Sequence, residues 1–296
     1  MEIVEVGPRD GLQNEKRVLP AAVKISYVRR AIAAGLRRLE VAAFARPDRV
    51  PQMADAEEVL RGVPRSPGVR YAALVLNSRG LDRALALGDA RPDELNYVVV
   101  ASDDFSRRNQ GVSTMASLAA FRDVAARAHE AGFFVTLTVA AAFGCPFTGE
   151  VPISRVRRIV DEAGPIDELC LADTIGVGVP PQVADLAGAV RGVAPLRAHF
   201  HNTRNTGYAN AFAAVAAGFT ALDSSLGGIG GCPFAPAATG NIATEDVAYL
   251  LSRSGLKTGV SVTAAAETGA WIGGELGLAA APALLGRAGD FPPVTN

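Results

Sequence analysis

The sequence predicts an α/β fold, a (β/α)₈ barrel with an extra C-terminal helical segment. Eight strand-like runs alternate with helical runs, and this alternation indicates a parallel sheet that helices cover. The chain has 296 residues, which suits one barrel of the usual ~250 residues with insertions. No GxGxxG follows the first strand, which argues against an open dinucleotide-binding sheet. The predicted strands lie at 2–6, 38–44, 69–76, 95–101, 133–140, 166–172, 196–201 and 219–224.

The helical runs between these strands have recognisable starts and ends. In 113–131 apolar residues recur at spacings of three and four, which predicts an amphipathic helix. Pro180 and Pro181 suit the first turn of a helix over 180–191. Glycine can adopt the left-handed conformation that ends a helix. Four Ala-Gly pairs lie where a helical stretch ends before a strand, at Ala34-Gly35, Ala131-Gly132, Ala163-Gly164 and Ala217-Gly218.

The whole chain, 1–296, is predicted to form a single domain, because no linker or low-complexity stretch divides it. Residues 258–296 follow the eighth strand and are expected to form a C-terminal helical extension with a Pro-rich tail. This extension would pack on the barrel or on a neighbouring subunit, and a homo-oligomer, a dimer or larger, is predicted.

Composition and charge argue against several kinds of partner. The net charge is −1, which gives no support for nucleic acid or an acidic membrane as a partner. The sequence contains neither a recognisable signal peptide nor an apolar run of the ~18 residues that suggest a membrane span. Three cysteines cannot form a full disulfide framework, and the odd count fits a reducing compartment. A cytoplasmic location is therefore predicted.

The most informative chemical signal is the pair His199 and His201 on the seventh predicted strand. Function in such barrels lies at the C-terminal ends of the strands. Side chains alternate along a strand, so both imidazoles point the same way, roughly 7 Å apart. The alternative is a pair of hydrogen-bonded core histidines, but two of only three histidines lie at this strand end, which favours a metal site. The third, His129, lies in a helical pattern and is expected to be structural or exposed.

Arg9 and Asp10 follow the first strand, whose end lies near that of the seventh in a closed barrel. Asp10 is the natural carboxylate partner of the histidines, although Asp before Gly11 also suits a turn. Mixed nitrogen and oxygen ligands are compatible with Mg²⁺, Mn²⁺, Fe²⁺ or Zn²⁺. Arg9 is expected to hold a carboxylate or an enolate oxygen, or alternatively to pair with Glu40 or Asp173.

A Gly-rich segment, 227–241, follows the eighth strand. It is not a phosphate-binding loop, because no GK[ST] follows its glycines, and it is expected to be the hinge of a mobile lid that carries Cys232. A thiol beside a metal and Arg9 can have a lowered pKa and act as acid or base. The alternative is an inert small residue in a turn.

Several strings resemble the 3-hydroxy-3-methylglutaryl-CoA (HMG-CoA) lyase family, within a wider group of metal-dependent barrels. The longest are VEVGPRDGLQNEK at 4–16 and GGIGGCPFAPAATGNIATED at 227–246. Shorter ones are DTIGV at 173–177, VPQMAD at 50–55 and GCPF at 144–147. The resemblance spans nearly the whole chain, and the long strings are far more specific than a generic short motif.

The resemblance implies a divalent metal, Mg²⁺ or Mn²⁺ rather than Zn²⁺, and a set of residues around it. The implied metal ligands are Asp10, His199, His201 and Asn241. The residues implied in catalysis are Arg9, Cys232, Asp173 and Glu40. Substrate or CoA contacts are expected at Gln13, Lys16, Arg107, Arg108, Asn109, Thr174 and Arg204. For the basic residues among the CoA contacts, solvated surface charge is the alternative.

The implied reaction is the retro-Claisen cleavage of a 3-hydroxyacyl-CoA, with HMG-CoA giving acetoacetate and acetyl-CoA. A base, with Asp173 or a ligand-bound water as candidates, removes the proton of the 3-hydroxyl. The C2–C3 bond breaks to give a ketone and a thioester enolate, whose oxyanion Arg9 stabilises. Cys232 is the implied acid that protonates the enolate carbon.

Six positions depart from the family's pattern, and they are expected in or close to the pocket for the acyl group. They are Ala42, Ala43, Thr136, Thr138, Cys170 and Asn202. The pocket for a distal carboxylate is therefore predicted to be altered. Arg204 is then a candidate cation for a shorter acid such as citramalyl-CoA, which is the main alternative substrate.

Three other functions remain as alternatives. A synthase that condenses acetyl-CoA with a 2-oxo acid runs the same chemistry forwards, but such proteins lack the GGCPFAP string. Metal-dependent hydrolases on a barrel carry HxH on the first strand and the Asp on the last, the reverse of the order here. A non-catalytic ligand-binding relative is disfavoured by the intact set of ligands.

Overall fold

The structure, a computed structural model, describes residues 1–231, 240–279, 283–288 and 291. Eight parallel strands pair in chain order and close into a barrel, which confirms the predicted fold, a TIM barrel. The strands are β1 Glu2–Glu5, β2 Arg38–Ala43, β3 Arg70–Val75, β4 Glu94–Val100, β5 Phe134–Ala140, β6 Glu168–Asp173, β7 Leu196–Phe200 and β8 Ala221–Ser224. Each begins and ends within two residues of its predicted run.

Helices lie between the strands and after the last one. In the described part of the chain they are α1 Ala21–Ala33, α2 Ala56–Gly62, α3 Ser78–Leu85, α4 Asp103–Gln110, α5 Thr114–Glu130, α6 Ile153–Asp161, α7 Pro180–Val190, α8 Gly207–Ala216, α9 Thr244–Arg253, α10 Val262–Leu276 and α11 Leu285–Ala288. Helices α5 and α7 confirm the two predicted from periodicity and from the proline pair. The glycines of the four Ala-Gly pairs have φ angles of 104°, 79°, 83° and 90°, which confirms the predicted left-handed helix ends.

The hydrophobic core lies between the barrel and its ring of helices. Every residue of β2 is buried, as expected for a strand with one face in the barrel and the other under helices. Helix α5 buries Leu118, Phe121 and Val124 against this layer, which is the face predicted from its apolar spacing.

The N-terminal half of the barrel interior is filled by an ion-pair network of Arg38, Arg197, Glu94 and Glu168. Nε of Arg38 donates to Glu94 at 2.7 Å, and its Nη2 donates to Glu168 at 2.6 Å. Arg197 approaches the same two glutamates at 3.2 and 3.4 Å. Buried charges are tolerated when they are paired and hydrogen-bonded. This network therefore closes one end of the barrel.

The segment 258–296 contributes α10 and α11, and its residues 280–282, 289–290 and 292–296 lie outside the described part. Helix α10 packs against the loop after β8, where a Cβ on Gly269 would lie 2.7 Å from the backbone N of Gly227. The approach therefore requires glycine at this point of the helix. Among the described residues, the helices are all too short or too polar to span a bilayer.

Candidate active site

Arg9 and Asp10 lie in a single turn of π-helix, Gly7–Gly11, directly after β1. A side chain at the last residue of this turn would place its Cβ 2.8 Å from Cγ1 of Ile229. The glycine therefore lets the turn pack against the loop after β8. The consequence is that both charged side chains lie at the C-terminal mouth of the barrel.

Asp10, His199 and His201 converge at this mouth. One potential ligand atom of each lies within 4.8 Å of those of the other two. Nε2 of His199 is 4.0 Å from Oδ2 of Asp10, and the imidazole centroids are 5.2 Å apart. The convergence predicted from the HxH spacing and from the strand-1 aspartate is therefore present.

Asn241 completes the group, because its backbone pairs with that of His201. Its Nδ2 donates to Oδ2 of Asp10 at 3.0 Å and to the carbonyl of Ile229 at 3.1 Å. Among the described residues, Oδ1 of Asn241 and Nδ1 of His201 are buried without a hydrogen-bond partner. A buried polar atom left unpaired costs about 1–3 kcal/mol. A cation bound by these residues would satisfy both atoms, so the site fits a metal.

The protonation states of Asp10 and His201 also suit a metal. Burial would raise the pKa of Asp10, but the charges of Arg9, His199 and His201 lower it to about 2. Burial and the neighbouring His199 lower the pKa of His201 to about 4. At neutral pH Asp10 is therefore ionised and His201 is neutral, which are the forms that coordinate metals.

Asp223, on β8, is a site residue that the sequence analysis missed. Its Oδ2 lies 3.1 Å from Nδ1 of His199, so the carboxylate holds the ring nitrogen that points away from Asp10. Burial would lower the pKa of His199, but the hydrogen bond to Asp223 and the charge of Asp10 outweigh burial and raise it. An acidic residue inside a predicted strand, next to the strand that carries HxH, was the signal that could have found it.

Arg9 is fixed by two carboxylates beside the metal-binding group. Its Nε donates to Glu40 at 2.8 Å, its Nη2 donates to the same carboxylate, and its Nη1 donates to Asp10 at 2.7 Å. Asn96 donates to Glu40 at 3.0 Å and accepts from Thr138 at 2.7 Å. The predicted pairing of Arg9 with Glu40 is therefore present, and the guanidinium still lines the cavity.

A cavity of about 1450 Å³ opens above these residues. Drug-sized ligands occupy pockets of ~300–1,000 Å³, so this cavity can hold a larger molecule such as a CoA ester. Its inner wall includes Arg9, Asp10, both histidines and Asp223, together with Gln13 and Thr174 from the predicted binding residues. Oε1 of Gln13 is buried without a partner among the described residues.

Arginines line the rim of the cavity on the side of the loops after β2, β3 and β4. They are Arg46, Arg49, Arg79, Arg83, Arg107 and Arg108, and the predicted Asn109 lies with them. Arg83 is held by Glu57 at 2.7 Å, and Arg108 lies 4.5 Å above the ring of Phe147. Arg49 and Arg79 could not be recognised as site residues from the sequence, because isolated arginines between a strand and a helix are common.

Lys16 and Arg204, two of the predicted binding residues, do not line the described cavity. Lys16 is exposed. Arg204 is also exposed, and its Nη1 donates to the carbonyls of Ile175 and Gly176 at 3.2 and 3.1 Å. The prediction that Arg204 faces the site as an extra cation therefore differs from the structure, because backbone carbonyls hold its guanidinium. Cys232 lies outside the described residues.

Asp173 is fully buried and does not line the cavity among the described residues. Its carboxylate accepts from the N–H groups of Val177 and Gly178 at 2.9 and 2.8 Å. Burial raises its pKa, against the effect of these hydrogen bonds. The carboxylate therefore holds the turn that follows β6, and its role as a base stays a prediction.

Only one of the six positions that depart from the family's pattern lines the described cavity, namely Thr138. Thr136 lies one layer deeper and donates to Glu94 at 2.9 Å. Cys170 is buried beside Asp223, and burial raises its thiol pKa to about 12. Asn202 accepts from the N–H of Gly207 at 3.2 Å. The six positions therefore differ in depth, since Thr138 lines the cavity whereas Thr136 and Cys170 are buried away from it, and which of the six lie near the acyl group stays a prediction.

Comparisons with known proteins agree with this geometry. Residues 1–272 match the HMGL-like family model. The (R)-citramalyl-CoA lyase of Chloroflexus aurantiacus is 42% identical, over 98% of this chain and 95% of that protein. The hydroxymethylglutaryl-CoA lyase of Pseudomonas mevalonii is 42% identical, over 94% of this chain and 93% of that protein. An HMG-CoA lyase from Acinetobacter baumannii, solved in complex with coenzyme A and 3-methylmalate, superposes with a TM-score of 0.92 at 34% identity, over 100% of this chain and 97% of that one.

Proposed function

Because the chain belongs to the HMGL-like family, we propose that it is a carbon–carbon lyase that cleaves a 3-hydroxyacyl-CoA by a retro-Claisen reaction. The proposed substrate is HMG-CoA, and the products are acetoacetate and acetyl-CoA. The observation that carries the proposal is the convergence of Asp10 with His199 and His201, beside Arg9, in a cavity large enough for a CoA ester.

Asp10, His199, His201 and Asn241 are the proposed ligands of a divalent metal, Mg²⁺ or Mn²⁺. Two oxygen and two nitrogen donors are compatible with these ions. The bound metal would act as a Lewis acid that lowers the pKa of the substrate's 3-hydroxyl. The unpartnered Oδ1 of Asn241 and Nδ1 of His201 support this assignment.

Arg9 is proposed to stabilise the negative charge that develops on the thioester oxygen. When the C2–C3 bond breaks, its electron pair passes to the thioester as an enolate, and the carbinol carbon becomes a ketone. A guanidinium that two carboxylates already hold needs little reorganisation during the reaction, which is the main advantage of a preorganised site. Its pairing with Glu40 and Asp10 supports this role.

Two proton transfers complete the proposal. Cys232 is proposed, from the family resemblance, as the acid that protonates the enolate carbon. Asp173 is the proposed base for the 3-hydroxyl, but its hydrogen bonds to Val177 and Gly178 better support a positioning role. In that role it would hold the turn from which Thr174 reaches the cavity wall.

The rim arginines are proposed to bind the phosphates of CoA. Arg107 and Arg108 were expected there, and Arg49 and Arg79 line the same cavity. A guanidinium binds phosphate through paired N–H donors. The position of this rim, beyond the group of metal ligands, supports a thioester that reaches inward to Arg9.

Citramalyl-CoA is a second candidate substrate. The observation that favours it is the match to the Chloroflexus aurantiacus citramalyl-CoA lyase, which is as similar to this chain as the Pseudomonas mevalonii protein is. Arg204 does not support it, because its guanidinium is held by backbone carbonyls.

The test is direct turnover. The purified chain, loaded with Mg²⁺, is incubated with a panel of 3-hydroxyacyl-CoAs, and the ketone product is identified by mass spectrometry. Acetoacetate from HMG-CoA is the expected product, and pyruvate from citramalyl-CoA would support the second candidate. Chelator-treated protein is the control. If the metal binds and every ester remains intact, the proposal is wrong.

A cytoplasmic location and a homo-oligomer are also proposed. Sedimentation of the purified chain measures the second directly, and a monomer at all concentrations would contradict it.

A further inference from the structure

Asp223 connects the metal-binding group to the ion-pair network in the N-terminal half of the barrel. Its Oδ2 lies 3.1 Å from Nδ1 of His199, and its Oδ1 lies 3.2 Å from Nε of Arg197. We propose that Asp223 is a positioning residue that fixes the tautomer and orientation of His199, and that Arg197 holds Asp223 in place. The inference rests on the metal site proposed above.

The first step is the tautomer of His199. A neutral imidazole carries one proton, and the nitrogen without it is the one that can bind a metal. A carboxylate at Nδ1 accepts a hydrogen bond, so the proton stays there. Nε2, which lies 4.0 Å from Oδ2 of Asp10, is then free to coordinate. Carboxylates that orient metal-binding histidines in this way commonly contribute to metal affinity.

The second step is the position of Asp223 itself. It is only 4% exposed, and its two carboxylate oxygens face Arg197 and His199. Asp223 is not among the side chains whose ligand atoms converge with Asp10 and His201. It therefore acts on the metal through His199.

The third step is the specific contact made by Arg197. The atoms of the Arg197–Asp223 pair lie 3.2 Å apart but are not aligned as a hydrogen bond, so the contact is an ion pair. Arg38 is its matched counterpart, because both arginines are 1% exposed and both contact Glu94 and Glu168. Among the described residues, the ion pairs of Arg38 do not include Asp223.

The first measurement is metal binding, by calorimetric titration of the purified full chain with Mn²⁺. Asp223→Ala is expected to weaken binding by about 10- to 100-fold, the usual effect of removing such a partner. Arg197→Met is expected to weaken it several-fold, and Arg38→Met to weaken it much less, because Arg38 acts on Asp223 only through a longer-range charge interaction. If the methionine variants do not fold, Arg197→Lys and Arg38→Lys keep the charge and repeat the comparison.

The second measurement is the histidine tautomer, by ¹⁵N NMR of the metal-free protein in mildly alkaline buffer. The chain has three histidines, so each resonance can be assigned. His199 is expected to carry its proton on Nδ1, and Asp223→Asn is expected to shift the proton toward Nε2 while His129 is unchanged.

The outcomes separate this inference from the proposed function. If the wild-type chain binds no Mn²⁺, the proposed metal site fails first. If the wild-type chain binds Mn²⁺ and Asp223→Ala binds it equally well, the positioning role is wrong. An unchanged His199 tautomer in Asp223→Asn would also overturn it, because a purely structural effect would not need to move that proton.

Discussion

Both halves of the barrel interior contain many buried charged side chains, but the two halves differ in how completely these side chains are paired. In the N-terminal half, Arg38 and Arg197 share Glu94 and Glu168, so each charge has an opposite charge beside it. In the C-terminal half, the described groups around Asp10 leave buried atoms unpaired. A folded chain rarely leaves such atoms unpaired unless something else binds them. The paired half therefore supports the fold, and the unpaired half is the proposed ligand-binding half.

The largest expected effect on activity follows a substitution in the C-terminal half, where buried polar atoms are unpaired. His201→Ala removes a proposed metal ligand and should reduce kcat/KM by about 1,000-fold or more, because a Lewis acid supplies several kcal/mol. Mn²⁺ binding should be lost, while the free energy of unfolding of the metal-free protein changes little. The measurements are turnover, calorimetry and urea unfolding.

The matched control for this prediction is His129→Ala. His129 pairs with Asp167 at 2.9 Å, on the outside of the barrel. It should leave kcat/KM and metal binding unchanged. An active His201→Ala variant would mean that the unpaired nitrogen does not mark the metal site.

Arg9 shares features of both halves, because it is ion-paired and also lines the cavity. Arg9→Lys keeps the charge near Glu40 and Asp10 but loses the fixed guanidinium. We expect kcat to fall by about 100- to 1,000-fold, the usual effect of removing one oxyanion donor. KM should change little, because the loss is confined to the transition state. A fall in kcat/KM that came only from KM would contradict this role.

Substitutions in the N-terminal, ion-paired half should change the free energy of unfolding rather than turnover or metal binding. Arg38→Met leaves Glu94 and Glu168 with a single arginine, and breaking a buried pair costs about 3–5 kcal/mol. Urea unfolding should show this loss, with Mn²⁺ affinity retained. The control is Arg157→Met, which removes an exposed pair with Asp161 and should cost less than about 1 kcal/mol. A large loss of metal affinity in Arg38→Met would break the division between the two halves.

The fold was predictable because each βα unit carries its own local signals. Strands and helix ends follow from alternation and from Ala-Gly pairs, and barrel closure follows from eight such units. The HxH pair was predictable from its local spacing, and Asp10 from the closed barrel that brings the ends of the first and seventh strands together. Asp223 was missed, since a single acid in a strand gains its meaning only when β8 packs beside β7.

Some expected site residues do not line the described cavity, because their positions depend on contacts that a sequence does not encode locally. Arg204 follows the HxH strand, but the carbonyls of Ile175 and Gly176 hold it away from the cavity. Thr136 and Thr138 belong to the same strand, yet only Thr138 reaches the cavity, because a step of two residues moves a side chain one layer deeper.

The buried side chain of Glu245 tests whether a carboxylate can be charged in the protein interior without an ion pair. Glu245 on α9 is hydrogen-bonded, since it accepts from the N–H of Gly227 at 3.0 Å. The neighbouring charges that raise its pKa are Asp246 and Glu5, and among the described residues Glu245 makes no ion pair. Burial is the main cause that raises the pKa of Glu245 to about 8.

The smallest predicted effect follows from this raised pKa. Between its ordinary pKa of 4.5 and about 8, the folded chain keeps the proton of Glu245 and the unfolded chain releases it. The stabilising contribution is therefore complete below the unfolded pKa and is lost as the pH rises toward 8. Glu245→Gln stays neutral, so its Tm should fall less between about pH 5 and pH 8 than the wild-type Tm, by a few degrees.

The control for the pH series is Glu267→Gln, an exposed glutamate on the neighbouring helix α10, which should follow the wild-type curve. Burial also raises the pKa of Glu5 to about 7, so part of the decline should remain in Glu245→Gln. If the two variants have the same pH dependence as the wild type, Glu245 is ionised in the folded protein. A buried carboxylate that is hydrogen-bonded but lacks a cation would then be tolerated as a charge, and ion pairing would no longer distinguish the structural half of the barrel from the half proposed to bind a metal.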